Sequence, residues 1–260
     1  MNKISVVIHT YNNEEIIRQC LESVKDFDEI VICDMYSTDN TLKIAREYNC
    51  KIVMHEKIPI VEPARNFAIQ QASYDWVLIV DSDEIIPKDL KNFLYEFIEK
   101  QEKCEEKNYK AVKIPRVNIY WGFENEAAYP DYVLRFTKKS DINWPQTIHS
   151  QPEINGEIYT ISHKEKNLAF IHHTCNSISQ FINTINKYTD FELEKLIKKN
   201  KKFNMIFAVR KSLFLIIEKF ILKRGYKNGI DGLLYCIFCG FYKFVIYAKY
   251  YVYLKNKELN

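Results

Sequence analysis

Glycine is scarce in this chain, six residues in 260, and the loop after its first apolar strand, His9-Thr10-Tyr11-Asn12-Asn13, has none. A G-x-G-x-x-G turn, which lets backbone approach a pyrophosphate, is therefore absent, and a dinucleotide-binding form of an α/β sheet is excluded. Cysteine has no framework spacing; seven residues, an odd number, fit a reducing, cytoplasmic compartment. Cys236-x-x-Cys239 stands alone inside an aromatic, apolar helical pattern, where core packing is favoured over zinc or redox chemistry. The opening apolar strand, Ile4 to Ile8, is too short for a signal-peptide core and lacks a small-residue cleavage site after it. The most apolar segment is interrupted by Asp231, Lys243 and Lys249, which leaves no unbroken run of the ~18 to 20 residues that cross a bilayer. No helix-turn-helix, RNA-binding aromatic motif or zinc finger accompanies the basic residues, so no nucleic acid partner is expected. Internal repeats and low-complexity linkers are also missing.

The net charge of +3 conceals a division. Residues 1–194 carry 22 Lys/Arg against 31 Asp/Glu, and residues 195–260 carry 15 against 3. Many tyrosines and phenylalanines lie among those late lysines, a composition suited to anionic lipid headgroups. Helical patterns at 177–198, 205–223 and 229–254 fill this region. Their apolar faces suit a membrane surface, the protein's own core or the second subunit of a homodimer.

The first hundred residues alternate strand and helix: strands at 4–8, 29–33, 51–54 and 76–80, helices at 13–25, from Asp39, and from about Glu62. That order predicts an α/β protein with a mostly parallel sheet, helices on its faces and right-handed crossovers. Short strands at 110–116 and 132–136 flank an aromatic, acidic loop, 120–126, where acceptor contacts are expected. The division expected is a domain over 1–175, with a ligand-binding parallel half over 1–100 and a second half over 101–175, then a helical region over 176–260.

The most informative segment is Trp76-Val77-Leu78-Ile79-Val80-Asp81-Ser82-Asp83-Glu84, a buried strand that ends in carboxylates. Open α/β sheets bind ligands beyond such carboxyl ends. Asp81 and Asp83 fall on one side of an extended chain. Their mutual repulsion is relieved by a hard cation, Mg2+ or Mn2+, which completes its shell with water and phosphate oxygens. The alternative is a turn at Ser82-Asp83 in which one aspartate caps the helix starting near Pro87.

Four segments in order resemble glycosyltransferase family 2, enzymes of the GT-A fold: Ser5 to Glu14, Asp28 to Thr41, Arg65-Asn66 with Ala68, and Val80-Asp81-Ser82-Asp83-Glu84. The second half is similar to bacterial β-glucosyltransferases of lipopolysaccharide cores and surface glycans, through Pro130-Asp131 to Phe136, Ile148-His149, Ile171 to Thr174 and Arg224-Gly225 onward. Ser150 stands where that subgroup carries an acid.

The resemblance implies an inverting, metal-dependent transfer of a hexose, with glucose favoured, from a UDP-sugar to a glycan or glycolipid acceptor at the cytoplasmic face of the inner membrane. Asp83, with Asp81 beside it, is expected to hold the cation. Thr10, Tyr11 and Asn12 would meet nucleobase and ribose, Asp34 would accept the uracil N3–H, and Arg65 would add a cation near the donor. Asp131 is the candidate general base, with a Pro-Asp turn as its alternative. Glu126, His149 and Trp121 are auxiliary candidates on the acceptor side. Two other function classes stay open: a nucleotidyltransferase, whose usual glycine-rich triphosphate loop is missing here, and a binding scaffold that kept the fold without turnover.

Overall fold

The computed structural model describes residues 2–57, 62–103, 107–145, 152–200 and 203–258. The chain forms two compact units, one of residues 1–117 and 130–172, the other of residues 118–129 and 173–260. In chain order the elements are β1 (Ile4–Thr10), α1 (Ile17–Val24), β2 (Glu29–Asp34), α2 (Thr41–Glu47), β3 (Lys51–Met54), α3 (Glu62–Gln70), β4 (Trp76–Asp81), β5 (Glu84–Ile85) and α4 (Lys88–Glu102). There follow β6 (Tyr109–Tyr120), β7 (Phe123–Glu124), β8 (Asp131–Lys138), β9 (Ile142–Asn143), β10 (Glu153–Ile154), β11 (Glu157–Thr160), β12 (Phe170–Cys175), α5 (Ile178–Lys198), α6 (Met205–Ile217) and α7 (Gly229–Glu258).

The sheet runs β3-β2-β1-β4-β8-β6-β12-β5, with β11 and β7 also on β6. Strands β1 to β4 pair in parallel, and β8 lies antiparallel between β4 and β6. This mixed, mostly parallel sheet flanked by helices is the GT-A architecture.

Period-two alternation explains how the central strands are covered on both faces. Ile4, Val6 and Ile8 of β1 join Leu21 of α1 and Leu90 and Leu94 of α4 in one core cluster. Val7, with Val77 and Ile79 of β4, faces Ala64, Ala68 and Ile69 of α3 in another. Each fully buried Ile or Leu contributes about 1.5–3 kcal/mol relative to exposure, so this double layer fixes the strand ends rigidly.

Several local details differ from the sequence expectation. Helix α1 begins at Ile17 rather than Asn13, because Asn13 O accepts from both Ile16 N and Ile17 N in a preceding turn. Strand β6 continues to Tyr120, beyond the expected end at Arg116, and its aromatic continuation is a tight hairpin with β7. Trp121 and Gly122, with φ of 31° and 94°, form its turn. Positive φ at both central residues matches the right-handed twist of the flanking strands.

The second unit has its own core of Tyr120, Ala127, Cys175, Tyr235 and Cys236, with Cys239 packed against it, so the Cys-x-x-Cys pair is core. Helices α6 and α7 approach closely where Gly240 lies against Ile216 and Ser212 O. The segment Gly225–Lys257 is long and apolar enough to cross a membrane by length and composition, despite its internal charges, and 28% of its most apolar window is buried.

Candidate active site

Register brings the functional ends of the parallel strands level. Thr10 pairs with Asp34 between β1 and β2, and His9 pairs with Asp81 between β1 and β4. These positions lie at the carboxyl edge, where open α/β sheets take ligands.

Asp81 is engaged from two directions. Arg65 Nη2, from α3, donates to Asp81 Oδ1 at 2.7 Å, and Arg135 Nη2, from β8, donates to Oδ2 at 2.5 Å. Both guanidiniums lie over the ring of Trp144, at 4.8 and 5.7 Å from its centre, and both residues are only 6% exposed. Burial raises the Asp81 carboxyl, but Arg135 and Arg65, with His9, outweigh it and hold it below the usual carboxylate range. The buried Nη1 atoms of Arg65 and Arg135 and Nδ1 of His9 have no hydrogen-bond partner among the described residues. Such buried polar atoms, donors on the arginines and an acceptor on the neutral imidazole whose Nε2 faces Ala64 O, are costly to leave unmet. Two cations share one carboxylate here, so the pair can accept further negative charge.

A second chain of contacts leads away from this cluster. Glu84 is fully buried; its Oε2 accepts from Asp81 N at 2.9 Å and its Oε1 from Arg116 Nη1 at 3.0 Å. Burial, then the neighbouring Asp81, pushes the Glu84 carboxyl up. Arg116 donates through Nε and Nη2 to Asp131 Oδ2, at 2.9 and 2.6 Å. The side chain of Asp131, at the first position of β8, is 36% exposed. Asp83 Oδ2 lies 3.4 Å from His172 Nε2 of β12.

Residues 5–185 match the model of glycosyl transferase family 2. The chain belongs to that family. An uncharacterized glycosyltransferase of Rickettsia typhi is 27% identical over 262 residues, covering 96% of this chain and 87% of the relative. The poly(ribitol-phosphate) beta-N-acetylglucosaminyltransferase TarS of Staphylococcus aureus is 38% identical over 102 residues, 34% of this chain and 18% of TarS. The structure of S. aureus TarS 1-349 in complex with UDP-GlcNAc aligns with a TM-score of 0.49 and 22% identity, over 66% of this chain and 58% of that one.

Within this family member, the loop after β1 is held by polar contacts. Thr10 is buried, and Asn13 Nδ2 donates to Ser82 Oγ at 2.6 Å, tying the loop to the turn after β4. Asn12, at φ 50°, accepts from Thr38 N through Oδ1. Lys57 Nζ stands 3.6 Å from the centre of the Tyr11 ring. Asp34 is fully buried, with its oxygens accepting from Ser37 N at 2.7 Å and Ser37 Oγ at 2.5 Å. Neither Asp81 nor Asp83 caps α4, which has no side-chain cap. Asp39 Oδ1 accepts from Thr41 N at 3.0 Å, just before α2.

The structure thus gathers Thr10, Asp34, Arg65, Asp81, Asp83 and Asp131 into one unit. Trp121 and Glu126 belong to the other. There Trp121 Nε1 donates to Asp231 Oδ1 at 3.3 Å, and Glu126 N donates to Asn228 Oδ1. His149 lies outside the described residues.

For the cation, the donor set separates the two aspartates. Asp81, expected beside the metal, uses both oxygens on arginines. Asp83 and His172 instead present an oxygen and an imidazole nitrogen to each other, a pair compatible with Mn2+ or Mg2+ when phosphate and water supply the other ligands. Among the described residues no cluster of three or more ligating side chains occurs.

Arg116, Arg135, Glu84 and His9 carry much of this geometry, and no functional role was expected of them. Their signal was a charged residue within an apolar strand pattern, as in Val133-Leu134-Arg135-Phe136. Its significance depends on which face the register turns inward.

Proposed function

We propose that this glycosyltransferase moves a hexosyl group, with glucose the first candidate, from a UDP-sugar to a lipopolysaccharide core or related surface glycan by inverting displacement. The observation that carries this reading is the pair Arg65 and Arg135. Two buried guanidiniums with unmet Nη1 donors suit a diphosphate, which presents several acceptor oxygens and negative charge. The indole of Trp144 supports both cations, so little reorganisation is needed when the anion arrives.

Asp83 and His172 would hold the divalent cation, which neutralises charge on the departing diphosphate when bound. Thr10, Tyr11 and Asn12 line the nucleoside end, and Asp34 is assigned to the uracil N3–H, with Ser37 already oriented on its oxygens. Asp131 takes the proton from the acceptor hydroxyl as the sugar transfers. Arg116 fixes the Asp131 carboxylate and is itself fixed by Glu84, so donor cluster and base are linked through Asp81, Glu84 and Arg116. Glu126, Trp121 and His149 remain acceptor-side assignments.

A second donor reading draws on the 102-residue match to TarS, named a beta-N-acetylglucosaminyltransferase; on it, the sugar is N-acetylglucosamine. The test is UDP release from UDP-glucose, UDP-galactose and UDP-N-acetylglucosamine with a truncated lipopolysaccharide acceptor and Mn2+. Acceptor-stimulated release from UDP-glucose supports the first reading, and release only from UDP-N-acetylglucosamine replaces glucose. Uptake of radiolabel from a sugar 1-phosphate and UTP would instead establish nucleotidyl transfer.

A further inference from the structure

The second unit carries an apolar face that the transfer chemistry does not use. On α6 and the π-helical turn Glu218–Leu222 that continues it, Ile206, Leu213, Phe214, Ile217, Ile221 and Leu222 are each at least 55% exposed. They recur at helical spacing along one stretch. Helix α7 is engaged along one side, with Ile230, Ile237, Phe241 and Val252 exposed on the rest: Gly240 packs on Ile216 and Ser212, and Lys249 Nζ donates to Asn186 O, Asn186 Oδ1 and Asp190 Oδ1 of α5 at 3.0, 2.8 and 2.6 Å. A lysine spent on a neighbouring helix, about two thirds of the way along α7, argues against α7 crossing a bilayer alone.

Charge around the apolar face identifies its occupant. Arg210, Lys211, Lys223, Arg224 and Lys227, all exposed, accompany it, while Lys219 turns over the Tyr235 ring; Glu218 is the one acid on residues 205–230. Lys211 Nζ lies 5.9 and 6.0 Å from the ring centres of Phe207 and Phe214. Its ammonium therefore stands over two exposed rings, a pairing of cation and apolar surface that suits a lipid–water interface. A second copy of the chain is a poorer fit. A two-fold contact would set this cationic rim against itself, and like charges across an interface cost affinity.

We propose that α6 and its π-helical turn form an in-plane anchor that docks this protein on an anionic lipid surface, with the apolar stripe in the acyl boundary and the arginines and lysines on headgroup phosphates. For a cytoplasmic protein that surface is the inner leaflet, whose negative potential attracts basic segments. The anchor is independent of the donor sugar and of the metal.

The test uses the full chain sedimented with vesicles of phosphatidylglycerol and phosphatidylethanolamine, or of phosphatidylcholine alone. The wild type is expected on the anionic vesicles, at least tenfold more weakly on the neutral ones, with release by 0.5 M salt or alkaline carbonate. The triple variant Leu213→Ser, Phe214→Ser, Ile217→Ser is expected to lose at least tenfold in vesicle binding while its melting temperature and UDP binding stay those of the wild type. Arg210→Glu with Lys211→Glu is expected to lose anionic selectivity. Three results would overturn the anchor: equal vesicle binding by the triple variant, retention after carbonate extraction, or a solution dimer that the triple variant splits while neither protein binds vesicles.

Discussion

Arg65 and Arg135 reach one carboxylate from α3 and β8, donating to the two oxygens of Asp81 at 2.7 and 2.5 Å. Two buried cations against one anion leave positive charge for a ligand, and Trp144 beneath both limits how far they can move.

If the pair holds the donor diphosphate, Arg135→Ala removes a charge-assisted contact worth about 1.5–3 kcal/mol. UDP affinity should fall roughly 10- to 100-fold, with uridine affinity little changed. Calorimetric titration of UDP and uridine checks both halves.

Asp81→Asn should act chiefly on stability. It leaves two buried guanidiniums without their shared anion, and breaking a buried pair typically costs about 3–5 kcal/mol. Urea unfolding should show that loss. Asp83→Asn, with its side chain 39% exposed beside His172, should leave stability nearly intact and remove the Mn2+ dependence of turnover.

Acid should destabilise the fold through His9 as well as through Asp81. Burial first, then Arg65, lowers the His9 pKa from 6.5 to about 3, so the native state keeps the imidazole neutral while the unfolded chain binds a proton. Stability from this group is complete above pH 6.5 and declines as pH falls towards 3, by up to about 1.4 kcal/mol per pH unit. The Asp81 contribution, whose folded pKa is lowered by the two arginines, is present above the unfolded value near 3.8 and is lost below it. His9→Asn should flatten the slope between pH 6.5 and 4 in urea titrations across that range.

Asp131→Asn should lower kcat by roughly 10²- to 10⁴-fold, the range for a positioned general base, with donor KM nearly unchanged. Arg116→Gln should lower kcat by a smaller factor, about tenfold, because Asp131 stays but loses the two bonds that aim it. Initial rates at varied donor and acceptor separate the two cases.

Much of this scaffold was legible in the chain. The limits of β4 coincide with the apolar run 76–80 plus Asp81, because a strand buried on both faces is bounded by its apolar residues, and the partly buried edge strand β3 also spans the expected 51–54. Helix α5 follows Ser177, whose side chain accepts from Gln180 N, the capping signal the sequence carries. Asp83 and Asp131 were legible as carboxylates beside strand patterns. Their partners were not. Arg116 and Arg135 matter because β6 and β8 pair with Arg116 opposite Asp131, and antiparallel register between strands fifteen residues apart is not encoded in local periodicity. The doubling of Arg65 and Arg135 on Asp81 required α3, β4 and β8 to be placed together, so the engagement of both Asp81 oxygens by arginines was not legible.

The most direct test of the donor site is calorimetric titration of UDP into wild type, Arg135→Ala and Asp83→Ala, each with Mn2+ and after chelation. The account predicts binding that Mn2+ strengthens in the wild type, that Arg135→Ala weakens under both conditions, and that Asp83→Ala renders indifferent to Mn2+. Equal affinity in all three proteins under both conditions, or no binding of UDP by the wild type, would contradict it.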